Sequence, residues 1–242
     1  MGKIVAVGGG EMRLNETFPI DKYIVEFSEV TNPKLLFIPT ASSDSEGYIE
    51  TVKKVYGEKL GCEVDTLLLK DSNITQSETR QKILSSHIIY VGGGDTVKML
   101  KIWRTKNVDI YLKEAYENNI VLSGISAGSI CWFKKGHSDN NLLNNADGWW
   151  DYTEPAGIGL ISAIHCPHYN EKGHEHFDEM MKKEVIPGIA IENNCAVVIK
   201  DNLYKIIKSD VNSKAYILKN HNGMIDKKEL STQVFLSFSG IL

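Results

Sequence analysis

The run Ile120-Val121-Leu122-Ser123-Gly124-Ile125-Ser126-Ala127-Gly128-Ser129 sets a short apolar strand against a turn of small residues. Ile130, Cys131, Trp132 and Phe133 continue it in a form compatible with a helix. Strand, turn and helix around Gly124-x-Ser126-x-Gly128 match the elbow that lifts a nucleophilic serine above a sheet edge. The turn is too tight for bulky side chains beside the serine, hence the flanking glycines. The plain alternative is a glycine-rich turn whose serine caps the helix.

The residues upstream repeat the same plan. Lys3–Val7 ends in Gly8-Gly9-Gly10, Leu35–Pro39 in Thr40-Ala41-Ser42-Ser43, and His87–Val91 in Gly92-Gly93-Gly94-Asp95-Thr96. Val64–Leu69 is a further strand. Ile49, Val52, Val55, Tyr56 and Leu60 recur at helical spacing. Helices are also expected over Ser77–Leu84, with Ser77 as N-cap, over Thr96–Trp103 and over Val108–Glu117. Apolar strands alternating with helices predict an α/β fold: a mainly parallel sheet with helices on both faces. Such sheets bind ligands at the carboxyl ends of their strands.

Beyond the elbow the pattern changes. Residues 134–158 lack periodicity and carry Trp149-Trp150-Asp151-Tyr152, which predicts an extended loop or insertion. Strands resume at Leu160–Ile164, Gly188–Ile191, Cys195–Lys200, Leu203–Ile207, Ala215–Leu218 and Val234–Phe238. A helix fits near His174–Val185, and Asn222-Gly223 reads as a hairpin turn. The later strands are expected to be antiparallel, all within one domain spanning residues 1–242.

With 242 residues, 42% apolar and 24% charged, the chain has globular composition. A net charge of −4 without charge blocks gives no nucleic-acid footprint and no polybasic membrane patch. The first apolar run stops at Gly8, unlike a signal peptide, and no stretch approaches the roughly 20 apolar residues of a membrane span. Cys62, Cys131, Cys166 and Cys195 are widely separated and read as reduced thiols of a cytoplasmic protein. A homodimer is left open.

A serine needs a base. His165, His168, His174 and His176 crowd one segment, and His168 follows an apolar strand and Pro167 at the same sheet edge as Ser126. His165 falls within the strand and is expected in the core, whereas His174 and His176 flank Glu175 near a helix start. Their spacing can chelate a metal, but no carboxylate-rich partner motif accompanies it, so no metal or cofactor is assigned. Glu192, at the end of Gly188–Ile191, is the expected orienter of His168, with Asp139 as rival. Gly92-Gly93-Gly94 has no third glycine at Val97 and is no dinucleotide fingerprint. It suits an oxyanion role, one amide from this loop joining that of Ala127.

Together Gly92-Gly93-Gly94-Asp95-Thr96, Gly124-Ile125-Ser126-Ala127-Gly128, Pro167-His168-Tyr169 and Ala190-Ile191-Glu192-Asn193 resemble the peptidase E (aspartyl dipeptidase) and cyanophycinase family. Gly8-Gly9-Gly10-Glu11 and Phe37-Ile38-Pro39-Thr40-Ala41-Ser42 fit as well, so the resemblance runs from about residue 3 to 210. It implies a class I glutamine-amidotransferase-like fold and a serine hydrolase of short peptides acting through an acyl-enzyme. Ser126 is then the nucleophile, His168 the base and Glu192 its orienter. Gly94 and Ala127 line the oxyanion hole, and Gly93, Asp95 and His176 contact substrate. The family's arginine after the catalytic histidine is absent from Gly173-His174-Glu175-His176-Phe177. Any preference for acidic residues is therefore expected to be weak or pH-dependent, with Arg13 the best-placed arginine. An amidotransferase subunit would need cysteine where Ser126 stands, whereas a non-catalytic binding protein would keep the architecture and fail to react with a fluorophosphonate.

Overall fold

The computed structural model describes residues 2–140, 151–174 and 176–238, and the side chains of all of these except 139, 140, 151 and 152. Its strands are β1 (Lys3–Val7), β2 (Lys34–Ile38), β3 (Glu63–Thr66), β4 (Ile88–Val91), β5 (Val121–Ile125), β6 (Phe133–Gly136), β7 (Ser138–Asn140), β8 (Asp151–Thr153), β9 (Ile161–Cys166), β10 (Gly188–Ile191), β11 (Cys195–Lys200), β12 (Leu203–Lys208), β13 (Ala215–His221), β14 (Met224–Leu230) and β15 (Leu236–Ser237). Its helices are α1 (Phe18–Phe27), α2 (Glu46–Val52), α3 (Gln76–Leu84), α4 (Thr96–Thr105), α5 (Val108–Glu117), α6 (Ala127–Ile130) and α7 (His176–Met181).

The larger sheet has eight strands in the order β15-β12-β11-β1-β5-β4-β2-β3. The five from β1 to β3 in that order are parallel. β11, β12 and β15 extend it antiparallel. β1 is buried along its whole length, with Ile4 and Ala6 entering one core layer and Val5 and Val7 the other. That is the period-2 consequence of covering a sheet on both faces. Met99, Leu100 and Trp103 of α4 and Val108, Leu112 and Ala115 of α5 cover one face. Ile20, Ile24 and Phe27 of α1, Val52 of α2, and Val55 and Tyr56 of the following π-helical turns cover the other. The fold is the expected α/β class.

A second sheet, β14-β13-β10-β9-β6, backs against the first. β6, β9 and β10 are parallel, and β13 and β14 are antiparallel. Phe177, Met180 and Met181 of α7 pack on Ile164, Cys166, Ala190 and Leu218 of this sheet. The expected loop at residues 134–158 is corrected at its base: β6 joins the second sheet, and β7 pairs with β8 as a hairpin. Trp149 and Trp150 lie outside the described residues, as do the side chains of Asp151 and Tyr152. Among the described residues no helix is long and apolar enough to cross a membrane.

Parallel strands bring the ends of β1, β4 and β5 to one edge. The second sheet meets that edge directly: the His168 amide, just past β9, donates to the Gly8 carbonyl, just past β1, at 3.0 Å.

Candidate active site

Ser126 stands between β5 and α6 with φ 56° and ψ −118°. A non-glycine residue there carries strain of order 1–3 kcal/mol, held by its surroundings. Its amide donates to the Val7 carbonyl at 3.2 Å, and its carbonyl accepts from the Ser129 and Ile130 amides at 2.9 and 3.0 Å. The hydroxyl makes no capping bond, which removes the plain reading of this serine as a helix cap. The two glycines are explained by close approach. A Cβ on Gly124 would lie 2.3 Å from the Gly128 carbonyl oxygen, and one on Gly128 would lie 2.1 Å from that of Val91.

His168 follows β9 and Pro167 with φ 52°. Its Nδ1 lies 2.7 Å from Asn193 Oδ1 and 3.2 Å from Glu171 Oε1. Both atoms are acceptors, so the proton sits on Nδ1 and Nε2 keeps the lone pair. Asn193 Nδ2 donates to Glu171 Oε1 at 2.8 Å, tying the two partners together, and the Asn193 amide donates to Asn170 Oδ1 at 2.9 Å. The hydrogen bond from His168 holds the Glu171 carboxyl down at about 2, against the opposing effect of burial. Glu171 is therefore a carboxylate throughout the neutral range.

This arrangement corrects the expectation for Glu192. Its Oε2 accepts from the Lys214 amide at 2.8 Å and its Oε1 faces the Tyr216 hydroxyl at 3.5 Å. Both residues lie in the turn between β10 and β11: Glu192 turns toward Lys214 and Tyr216, and the next residue, Asn193, reaches the histidine. The side chain of the rival, Asp139, lies outside the described residues. Gly9 makes room for the pair, since a Cβ there would lie 1.9 Å from Asn193 Oδ1 and 2.4 Å from His168 Nδ1.

Ser126 and His168 share the wall of a cavity of about 480 Å³ with Glu11, Arg13, Tyr48 and Gly93. Gly93 borders the serine: a Cβ on it would sit 3.3 Å from Ser126 Cβ. A Cβ on Gly94, at φ 137°, would lie 2.3 Å from the Ala41 carbonyl oxygen. Ala127 opens α6 and is buried. Two residues expected to contact substrate also have partners within the fold. Asp95 caps α4, its Oδ1 accepting from the Lys98 amide at 2.9 Å. His176 begins α7, its Nδ1 lying 3.4 Å from His137 Nε2. Of the other arginines, Arg80 pairs with Glu114 and Arg104 donates to the Ala156 carbonyl.

His165 is in the core as expected. Its Nδ1 donates to the Ile189 carbonyl at 2.9 Å, Ser129 Oγ lies 2.8 Å from its Nε2, and burial pushes it down to about 3. Behind His168, buried His137, Cys166 and His174 converge. Burial, with His174 and His176 adding to it, pushes His137 down to about 3. Sequence reasoning missed Glu171, Asn193 and His137. Glu171 had a weak signal, three residues after His168. His137 had none, because the pairing of β6 with β9 brings it in from another part of the chain.

The model of peptidase family S51 matches residues 4–207. The chain is 31% identical over 221 residues to the uncharacterized peptidase YgaJ of Bacillus subtilis (strain 168), covering 89% of this chain and 91% of that protein. Among solved structures it is similar to a peptidase from an acI-B1 Actinobacterium, with TM-score 0.72, 21% identity and coverage of 98% and 97% of the two chains. It is also similar to a putative peptidase E protein from Listeria monocytogenes EGD-e, with TM-score 0.64, 21% identity and coverage of 86% and 98%. A serine elbow opposite a histidine is the equipment such an assignment requires, and the chain belongs to peptidase family S51, a serine-type peptidase.

Proposed function

We propose that this peptidase cleaves short peptides through an acyl-enzyme formed on Ser126, with His168 as base and Glu171 and Asn193 orienting it. The observation that carries the reading is the strained Ser126, its hydroxyl not engaged in capping, on the wall of the cavity that His168 also lines. Ser126 Oγ attacks the scissile carbonyl as its proton passes to His168 Nε2. Glu171 and Asn193 accept the remaining Nδ1–H and stabilise the imidazolium. The imidazolium then protonates the leaving amine. Water attacks the ester with His168 again as base, and Ser126 is restored. The amide of Ala127, at the first helical position where no intrahelical partner exists, and one from the Gly93-Gly94 turn are the oxyanion donors.

Glu11 and Arg13 give the cavity one charge of each sign, which suits the charged end of an unblocked peptide. The absence of a disulfide among the four cysteines agrees with a cytoplasmic location. A screen of dipeptides varied at the N-terminal residue tests the reading. Turnover abolished by Ser126→Ala is expected, and turnover at the parent rate in that variant overturns it.

A further inference from the structure

We propose that His137, Cys166 and His174 form a binding site for a thiophilic divalent cation of the zinc type, beside the catalytic histidine. All three side chains are buried, and their ligand atoms lie within 4.8 Å of one another. Cys166 Sγ is 3.6 Å from His137 Nδ1 and 3.5 Å from His174 Nδ1. A tetrahedral zinc ion, with bonds of about 2.3 Å to sulfur and 2.0–2.1 Å to nitrogen, separates those atoms by about 3.6 Å. The sulfur–nitrogen spacing a metal would impose is thus already present.

The donor set also fits. Two imidazoles and a thiol select zinc-like cations over magnesium or calcium, which take oxygen ligands. Metal-bound histidines commonly donate their second N–H to an outer partner. His176 Nδ1, 3.4 Å from His137 Nε2, is placed to receive it. Three protein ligands leave a fourth position for water or another donor, the pattern of exchangeable rather than closed sites. Binding releases the thiol proton to solvent and leaves a thiolate–metal bond, so no oxidant or reductant is involved.

The place of the site in the chain says what it does. Cys166 ends β9 and His174 precedes α7, so the cation closes the short segment that carries His168 and Glu171. The rings of His168 and His174 are 6.1 Å apart. A bound cation would pin this segment and place positive charge beside the base, coupling metal occupancy to peptidase rate.

Metal binding itself is the test. Purified, chelator-treated protein is titrated with Zn²⁺, and with Co²⁺ as an optical probe. One ion per chain is expected, together with a thiolate-to-cobalt charge-transfer band. X-ray absorption of the zinc-loaded parent protein, which needs no variant, is expected to give one sulfur and imidazole nitrogens. Cys166→Ser and His174→Ala should abolish stoichiometric binding, and His176→Ala should weaken it by about 10–100-fold. Ser126→Ala should bind as the parent does, which separates this site from the proposed nucleophile. Failure to take up one ion per chain, a metal shell without sulfur, or binding that survives Cys166→Ser in folded protein overturns the proposal.

Discussion

Ser126 and His168 both sit at positive φ, 56° and 52°. Positive φ is uncommon outside glycine, and each of the two is held at a sheet edge by main-chain hydrogen bonds. Removing the hydroxyl with Ser126→Ala should lower kcat by roughly 10⁴-fold or more while the protein stays folded. Glu171→Gln should lower kcat with KM little changed, by less than the roughly 10⁴-fold cost of a wrong tautomer, because Asn193 still accepts from Nδ1. Steady-state kinetics on one peptide decide both, and a Glu171→Gln enzyme with parent kcat would remove that carboxylate from the account. Ser126 and His168 were legible in sequence because each follows an apolar strand and a turn. The partner of His168 was misjudged because sequence places Glu192 and Asn193 at the same strand end but leaves open which one faces the imidazole. Arg13 is exposed, so any advantage of acidic over neutral substrates should be about tenfold or less and weakened by salt. It should also be independent of pH between about 5.5 and 8, because arginine does not titrate there. Comparison of Asp-X with Ala-X substrates in the parent and Arg13→Ala checks this. A preference that follows a histidine titration would return the role to an imidazole.

At the scale of elements, the glycine turns after β1, β4 and β5 were readable as the functional edge. Their reasons were not, because they depend on contacts across the sheet. Gly9 is the sharpest case. Gly9→Ala should displace the His168–Asn193 pair and remove most activity without a comparable loss of stability, because the groups it strikes are side chains at the cavity rather than core backbone. Circular dichroism and a thermal melt alongside kinetics would show this, and full activity in that variant would contradict the geometry. The capping box at Thr75 and Glu78 moves the start of α3 one residue ahead of the expected Ser77. Helix α1 has no counterpart among the elements expected from sequence, although Ile20, Ile24 and Phe27 keep helical spacing behind Pro19. Strand β14 gave no signal, since only Leu230 in it is buried. Its pairing with β13, not its own pattern, makes it a strand.

Across the whole molecule, the parallel sheet and the antiparallel strands at one edge follow from the sequence pattern. The second sheet does not, because it needs β6 from the supposed loop to meet β9 and β10. One buried carboxyl ties global stability to pH. Asp21 accepts from the Thr17 and Tyr56 hydroxyls at 2.8 Å, yet burial raises it from 3.8 to about 6. Below about pH 3 both folded and unfolded chains carry the proton and there is no penalty. As pH rises to about 6 the unfolded chain ionises first, so this residue lowers stability by about 3 kcal/mol, a loss that then levels off. Asp21→Asn should flatten the fall in urea midpoint between about pH 4 and 6.5, whereas an unchanged slope would assign it to other groups. The proposed chemistry depends above all on Ser126 as the nucleophile. Labelling the intact protein with a fluorophosphonate and mapping the adduct by mass spectrometry tests it most directly. One adduct per chain on Ser126, lost in Ser126→Ala, is the predicted result; an adduct on another residue, or none in protein that hydrolyses peptides, would contradict it.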